Sequence, residues 1–255
     1  MDGRLLPREH GAYAQLLFPL LSGLVLGSPG AASFLFTVAA MLLFLANEPL
    51  VLLLGVRGQR LQQELAVPAR WQLALRATLG GAAGLAALWL APPAARWLAL
   101  VPAAFAAILV PVVLAKSLKT LPGEVVAAAA FSSMHLPVAA AGGVAGTLLW
   151  GPSLMWFTST VVATLCVHAI KSRVTKATPW VIPTATWMAR LALLGAMTVG
   201  ALLPGWRTVA LAACLPLAGV VVLNHLAFSP KRLKQVGWTL TATNALAMIL
   251  LATGV

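Results

Sequence analysis

The chain has 255 residues, 61% of them hydrophobic and 9% charged, with a formal net charge of +12. That composition excludes an ordinary soluble domain and leaves no polar stretch long enough for a separate soluble unit. Lys and Arg between apolar runs report topology first, so the charge does not point to nucleic acid.

Apolar runs recur along the whole chain, divided by short polar or Pro/Gly breaks, and long alternating strands are absent. The expectation is an all-α membrane protein, one transmembrane domain over residues 1–255, with nine transmembrane helices. The spans fall at about 11–28, 33–56, 71–91, 95–115, 123–147, 151–170, 180–203, 206–227 and 236–254. The first is read as a retained helix rather than a cleaved leader, because Pro19 lies inside it and no small-residue cleavage site follows.

Four connections are tight turns: Ser28-Pro29-Gly30, Pro92-Pro93, Gly151-Pro152 and Pro204-Gly205. The other four are charged. One face collects Arg4, Arg8, Arg57, Arg60, Arg70, Lys116, Lys119, Lys171, Arg173, Lys176, Lys231, Arg232 and Lys234, and the other only Arg96 and Arg207. Thirteen against two places the N-terminus and the charged loops in the cytoplasm and the C-terminus outside. Arg76 and Arg190 fall within spans.

The titratable groups crowd toward that basic face. Glu9 and His10 open span 1, Glu48 sits in span 2, Glu124 begins span 5, and His168 and His225 nearly end spans 6 and 8. His135 and Arg190 lie deeper, about 16 Å in at 1.5 Å per residue. Buried charge in a bilayer usually faces a cavity or a partner. The expectation is a polar, cytoplasm-facing cavity beneath an apolar outer wall.

Four stretches carry the candidate chemistry. In Arg8-Glu9-His10, Arg8 could pair an anion while Glu9 suits a helix start. In Asn47-Glu48-Pro49, an acid stands beside a proline that should kink the helix and free carbonyls. Lys116 and Lys119 lead into a helix start at Glu124, an arrangement suited to phosphate. His168 and Lys171 share a helical face ahead of Arg173 and Lys176. Arg190 needs a partner in the bundle, with Glu48, Glu124 or a bound anion as candidates. Lys231-Arg232-Leu-Lys234 reads as topology or anionic-lipid contact. The tryptophans, Trp156 among them, read as an interfacial belt, and Cys166 and Cys214 as buried free thiols. Glu9, His10, Glu48, Glu124 and His168 could together hold a metal, although they come from four helices and no spacing favours it.

The opening Pro7-Arg8-Glu9-His10-Gly11-Ala12-Tyr13 resembles the start of the YwiC-like family of bacterial integral membrane proteins. The layout is similar to that of the UbiA superfamily of intramembrane prenyltransferases, which also has nine helices and charged loops after spans 2, 4, 6 and 8. Lys116 to Gly143 resembles the basic loop and following helix of that superfamily. The resemblance implies a bound prenyl diphosphate, yet two Asp-rich motifs that hold magnesium there are missing. Asp2 is the one aspartate of the chain; Asn47-Glu48 stands at the first motif and His168 to Lys176 at the second. One acid and several cations cannot hold two magnesium ions in the usual way.

The sequence therefore points to a membrane lipid or isoprenoid, amphipathic and anionic, as the partner. Arg8, Asn47, Lys116, Lys119, Glu124, His135, Lys171, Arg173, Lys176 and Arg190 are the candidate ligands. Glu9, His10, Glu48 and His168 are the candidate acid/base groups if there is turnover. A non-catalytic subunit with a membrane-protein partner, or a small-solute transporter, are the alternatives. No cofactor is specified.

Overall fold

The computed structural model describes residues 5–7, 10–175, 178–226, 228 and 232–254. Among these there are only helices and connections. In chain order they are α1 (His10–Val25), α2 (Ala31–Leu53), α3 (Gln59–Leu90), α4 (Pro93–Leu98), α5 (Leu100–Leu114), α6 (Leu121–Ser133), α7 (His135–Ala141), α8 (Thr147–Thr175), α9 (Val181–Leu202), α10 (Arg207–His225) and α11 (Leu233–Thr253). Taking α4 with α5 and α6 with α7, eight helices are long and apolar enough to cross a membrane, and α1 is a shorter apolar ninth. All nine expected spans are therefore present as helices. The ends of α2, α5, α8 and α10 and the starts of α3, α6, α9 and α11 share the lysine- and arginine-rich connections, here called the basic face.

Two spans are broken, each three residues before a proline. Ala99 separates α4 from α5 ahead of Pro102, and Met134 separates α6 from α7 ahead of Pro137. A proline lacks the N–H that the residue four before it needs, and its ring crowds that carbonyl. The two spans run antiparallel, with α4 against α7 and α5 against α6, so both breaks fall at a similar height. Pro19, Pro49, Pro111, Pro152 and Pro216 sit inside unbroken helices instead.

α3 starts well before the span expected at residue 71. Its first residues are polar but contain no glycine, and Leu61, Leu65 and Ala69 recur on one face. They pack with Leu52, Leu53 and Leu5, and this contact extends the helix beyond the apolar stretch.

Two apolar clusters divide the interior. One joins α1, α2, α3, α4 and α7; the other joins α8 to α11. Phe18 of α1 stacks on Trp156 of α8 at 5.4 Å and links the two. Small residues let α1 close on α7. A Cβ at Gly23 would stand 2.9 Å from two side-chain atoms of Val138, while Ser28 N–H donates to Gly142 O at 2.9 Å.

A hydrogen-bonded knot closes this junction. His135 is fully buried; its Nδ1 lies 2.9 Å from Ser22 Oγ and its Nε2 lies 3.1 Å from Leu148 O. Trp156 Nε1 donates to the same Ser22 Oγ at 3.0 Å. Trp156 is thus a core residue and not part of an interfacial belt, whereas Trp71, Trp89, Trp97 and Trp238 are exposed as that belt requires.

Gly23→Ala should lower the apparent melting temperature of detergent-solubilised protein, because Val138 is buried and cannot retreat. The loss expected from such overpacking is on the order of 1–3 kcal/mol. Gly195→Ala, where an added Cβ meets nothing within 4 Å, should be neutral or stabilising by up to about 1 kcal/mol. Equal effects from the two would contradict the close approach of α1 and α7.

Candidate functional site

The site residues are best built from α2. Helix α2 continues through Pro49 to Leu53. The carbonyl that Pro49 cannot bond is that of Leu45, four residues before it. Arg76, buried in α3, donates to this carbonyl from Nη1 at 2.6 Å and to Leu5 O at 3.0 Å. The sequence noted Arg76 only as a charge within a span. The signal that could have found its role was Pro49 itself, whose freed carbonyl needs a donor at that depth.

Glu48, one residue before Pro49, is clamped by Arg57. Nε and Nη2 of Arg57 donate to the two carboxylate oxygens at 2.9 Å each. The side chain of Glu48 is only 4% exposed and that of Arg57 25%, so the pair sits at the edge of the core. The chain can fold back this tightly because Gly55 and Gly58 take φ values of +71° and +99°, a region glycine enters freely. A bidentate guanidinium–carboxylate pair is among the strongest side-chain contacts. The expectation that Glu48 might pair with Arg190 is corrected by this partner, which the turn places nine residues away.

The fold brings two candidate site residues, Glu124 and His168, into direct contact. Glu124 lies in the first turn of α6, where Thr120 caps the helix by accepting from Gly123 N. Its Oε2 lies 2.8 Å from Nε2 of His168 in α8. Both side chains keep partial exposure, at 34% and 23%. Lys116 and Lys119, exposed on the connection before α6, sit at the same face. Lys116 adopts φ +56°, a left-handed conformation that is unusual for a residue with a side chain.

An edge-to-face aromatic ladder joins the helices that carry Glu48 and Glu124. Tyr13 of α1 meets Phe44 of α2 at 5.1 Å, and Phe44 meets Phe131 of α6 at 5.6 Å. Glu48 is four residues beyond Phe44 toward the basic face, about 6 Å along the helix, and Glu124 is seven residues beyond Phe131, about 10 Å. The ladder therefore separates the two polar pairs from the deeper apolar interior.

The remaining candidates go elsewhere. His135 was expected as a ligand group, and the fold places it in the buried knot with Ser22 and Leu148. Arg173 donates from Nη2 to Asn224 O at 2.9 Å, so it points to α10, away from the Glu124 side of α8. Arg190 meets His225 at 2.9 Å, not Glu48 or Glu124. Lys171 is exposed and Asn47 half-buried. Arg8, Glu9, Lys176, Lys231 and the side chain of His10 lie outside the described residues. Among the described residues, no three His, Cys, Asp or Glu side chains converge as a metal site would need. A recess of about 190 Å³ between α8, α9 and α10 is apolar and opens toward the opposite face, lined by residues such as Met155, Ala196 and Trp206.

A family model described as YwiC-like protein matches residues 6–140. The chain belongs to the YwiC-like family. No curated protein matches it, and no solved structure does. The YwiC-like match spans α1 to nearly the end of α7. It includes Tyr13, Glu48, Arg57, Arg76, Glu124 and His135, while His168, Arg173 and Arg190 follow it. The Glu124–His168 contact and the His135–Ser22–Trp156 knot thus join the matched part to the rest of the chain.

Arg57→Ala should strand a buried carboxylate and destabilise the fold by about 3–5 kcal/mol, read as a large drop in the detergent melting temperature. Adding Glu48→Leu to that variant should recover much of the loss. If the double variant melts no higher than Arg57→Ala alone, the clamp is not the reason Glu48 tolerates burial.

Proposed function

We propose that this protein sits in the bacterial inner membrane with its basic face toward the cytoplasm, and that it binds an amphipathic, anionic lipid or isoprenoid at that face. One observation carries the reading. The Tyr13–Phe44–Phe131 ladder is flanked on its basic-face side by two polar pairs drawn from separate helices, Glu48–Arg57 and Glu124–His168. Phe44 is buried, while Tyr13 and Phe131 keep the partial exposure that contact with an isoprenoid or acyl chain needs. The lysines at 116, 119 and 171 supply positive charge for the head. The thirteen-to-two bias of basic residues supports the orientation.

The nine-helix layout supports a UbiA-like arrangement, in which the ends of spans 2 and 6 form the head site. The donors at those positions differ from a magnesium–diphosphate site, with Glu48 committed to Arg57 and Glu124 to His168. If there is turnover, His168 is the group best placed to move a proton. A carboxylate accepts only, so Glu124 holds the Nε2–H and leaves the Nδ1 lone pair to take a proton from an acceptor substrate. Both carboxylate oxygens of Glu48 are already occupied by Arg57.

Native mass spectrometry with lipid extraction, on gently solubilised protein, tests the reading. One co-purifying isoprenoid or anionic lipid is expected, reduced at least several-fold in Glu124→Gln and His168→Asn with the melting temperature close to wild type. Unchanged lipid in both variants would sink the proposal. Bulk lipid alone with a stoichiometric protein partner would favour a non-catalytic subunit instead.

A further inference from the structure

Arg190 lies nine residues into α9, on a face that also shows Trp187, Leu191 and Leu194, each more than half exposed. On a membrane-spanning helix such a face meets lipid. Among the described residues Arg190 has no carboxylate partner; the carboxylates of Glu48 and Glu124 are held by Arg57 and His168. A cation at a lipid-facing surface needs an anion from somewhere.

The contacts it does make hold the guanidinium without neutralising it. Arg190 Nη2 donates to His225 Nε2 at 2.9 Å, and its Cζ stands 5.4 Å from the centre of the Trp187 ring. His225 Nδ1 lies 2.9 Å from Val221 O. A carbonyl only accepts, so Nδ1 carries the proton; a guanidinium only donates, so Nε2 is the bare nitrogen. The imidazole is therefore neutral and acts as a peg. One edge of the guanidinium is fixed by His225 and one side shielded by Trp187, while Nε and Nη1 hydrogen-bond no described residue. His225 is the last residue of α10, so the charge is held level with the basic-face end of that helix.

We propose that Arg190, Trp187 and His225 form a surface site for the phosphate of an anionic phospholipid in the leaflet at the basic face. The free guanidinium edge matches two phosphate oxygens. Trp187 suits the interface, and Leu191 and Leu194 continue along α9 where the acyl chains would lie. This site shares no residue with the head site at Glu124–His168.

Native mass spectrometry titrations with phosphatidylglycerol and with phosphatidylcholine test it, using the full chain in detergent. Wild type should hold phosphatidylglycerol more tightly than phosphatidylcholine. Arg190→Gln should weaken phosphatidylglycerol about fivefold, the factor that corresponds to about 1 kcal/mol per basic residue at an anionic surface. Arg190→Lys, which keeps the charge but not the fork, should fall between, and it serves if the glutamine variant does not fold. Arg60→Gln, an exposed arginine at the same face that belongs to neither site, should change nothing. Wild-type affinity in both Arg190 variants overturns the site. So does an equal loss in Arg60→Gln, which would mean general attraction, or displacement of the lipid by millimolar inorganic phosphate, which would mean a soluble anion. Glu124→Gln should leave this titration untouched, which separates its failure from that of the head site.

Discussion

A fully buried imidazole holds the junction on which the bundle depends. Hydrocarbon supplies no hydrogen bonds, so every polar group there must be satisfied within the protein. His135 stands where the fifth span breaks, and its two nitrogens reach α1 and the start of α8. The protons can be placed. Leu148 O must accept, which puts a hydrogen on Nε2, and Nδ1 then accepts from the Ser22 hydroxyl. That leaves Ser22 Oγ free to accept from Trp156. The chain of donors runs Trp156, Ser22, His135, Leu148, with the imidazole neutral and no net charge buried. Pro19 O, 2.9 Å from Ser22 Oγ, offers the same proton a second acceptor. Because the network links both apolar clusters, α1 is fixed against α7 and α8, and the aromatic ladder beneath it inherits that alignment.

The same rule explains how the bundle tolerates its prolines. Each internal proline leaves one carbonyl without its helical donor. At Pro49 a side chain on a neighbouring helix repairs the gap, because Arg76 reaches Leu45 O. At Pro102 and Pro137 the helix breaks instead. The paired breaks fall in antiparallel spans, with α4 packed on α7 and α7 in turn packed on α1. A cation buried at mid-helix therefore need not mark a ligand. Arg76 is held by carbonyls of α2 and of Leu5, and it ties the segment before α1 to the α2–α3 hairpin.

What the sequence made legible follows from which signals are local. Span positions, the tight turns and the basic face depend on composition over short windows, and all nine spans stand as helices. The breaks at Ala99 and Met134 could not be read, since other internal prolines in the same sequence leave their helices intact. The long start of α3 was missed because its contact with Leu52 and Leu5 is tertiary. Partner identity was the hardest part. Glu124 and His168 are 44 residues apart and Arg190 and His225 are 35 apart, so neither pair leaves a spacing pattern. His135 looked like a ligand because a deep histidine in a span has no local partner; the partner is 113 residues away on α1. Glu48 and Arg57 were both visible, but their pairing needed the turn at Gly55 and Gly58.

α8 also decides which cations can serve one ligand. His168 and Arg173 are five residues apart, about 140° around a helix, so they face different neighbours. His168 turns to Glu124 on α6 and Arg173 to Asn224 on α10. Lys171 is three residues from His168, about 60° away, and shares its side. A ligand seated at Glu124–His168 can therefore draw on Lys171 and on the lysines before α6, but not on Arg173 or Arg190. The cluster that seemed continuous in sequence, from His168 to Arg173, is divided by the helix that carries it. The division leaves Arg173 to brace α8 against α10 and keeps His168 and Lys171 on the α6 side of α8, where the proposed head site would lie.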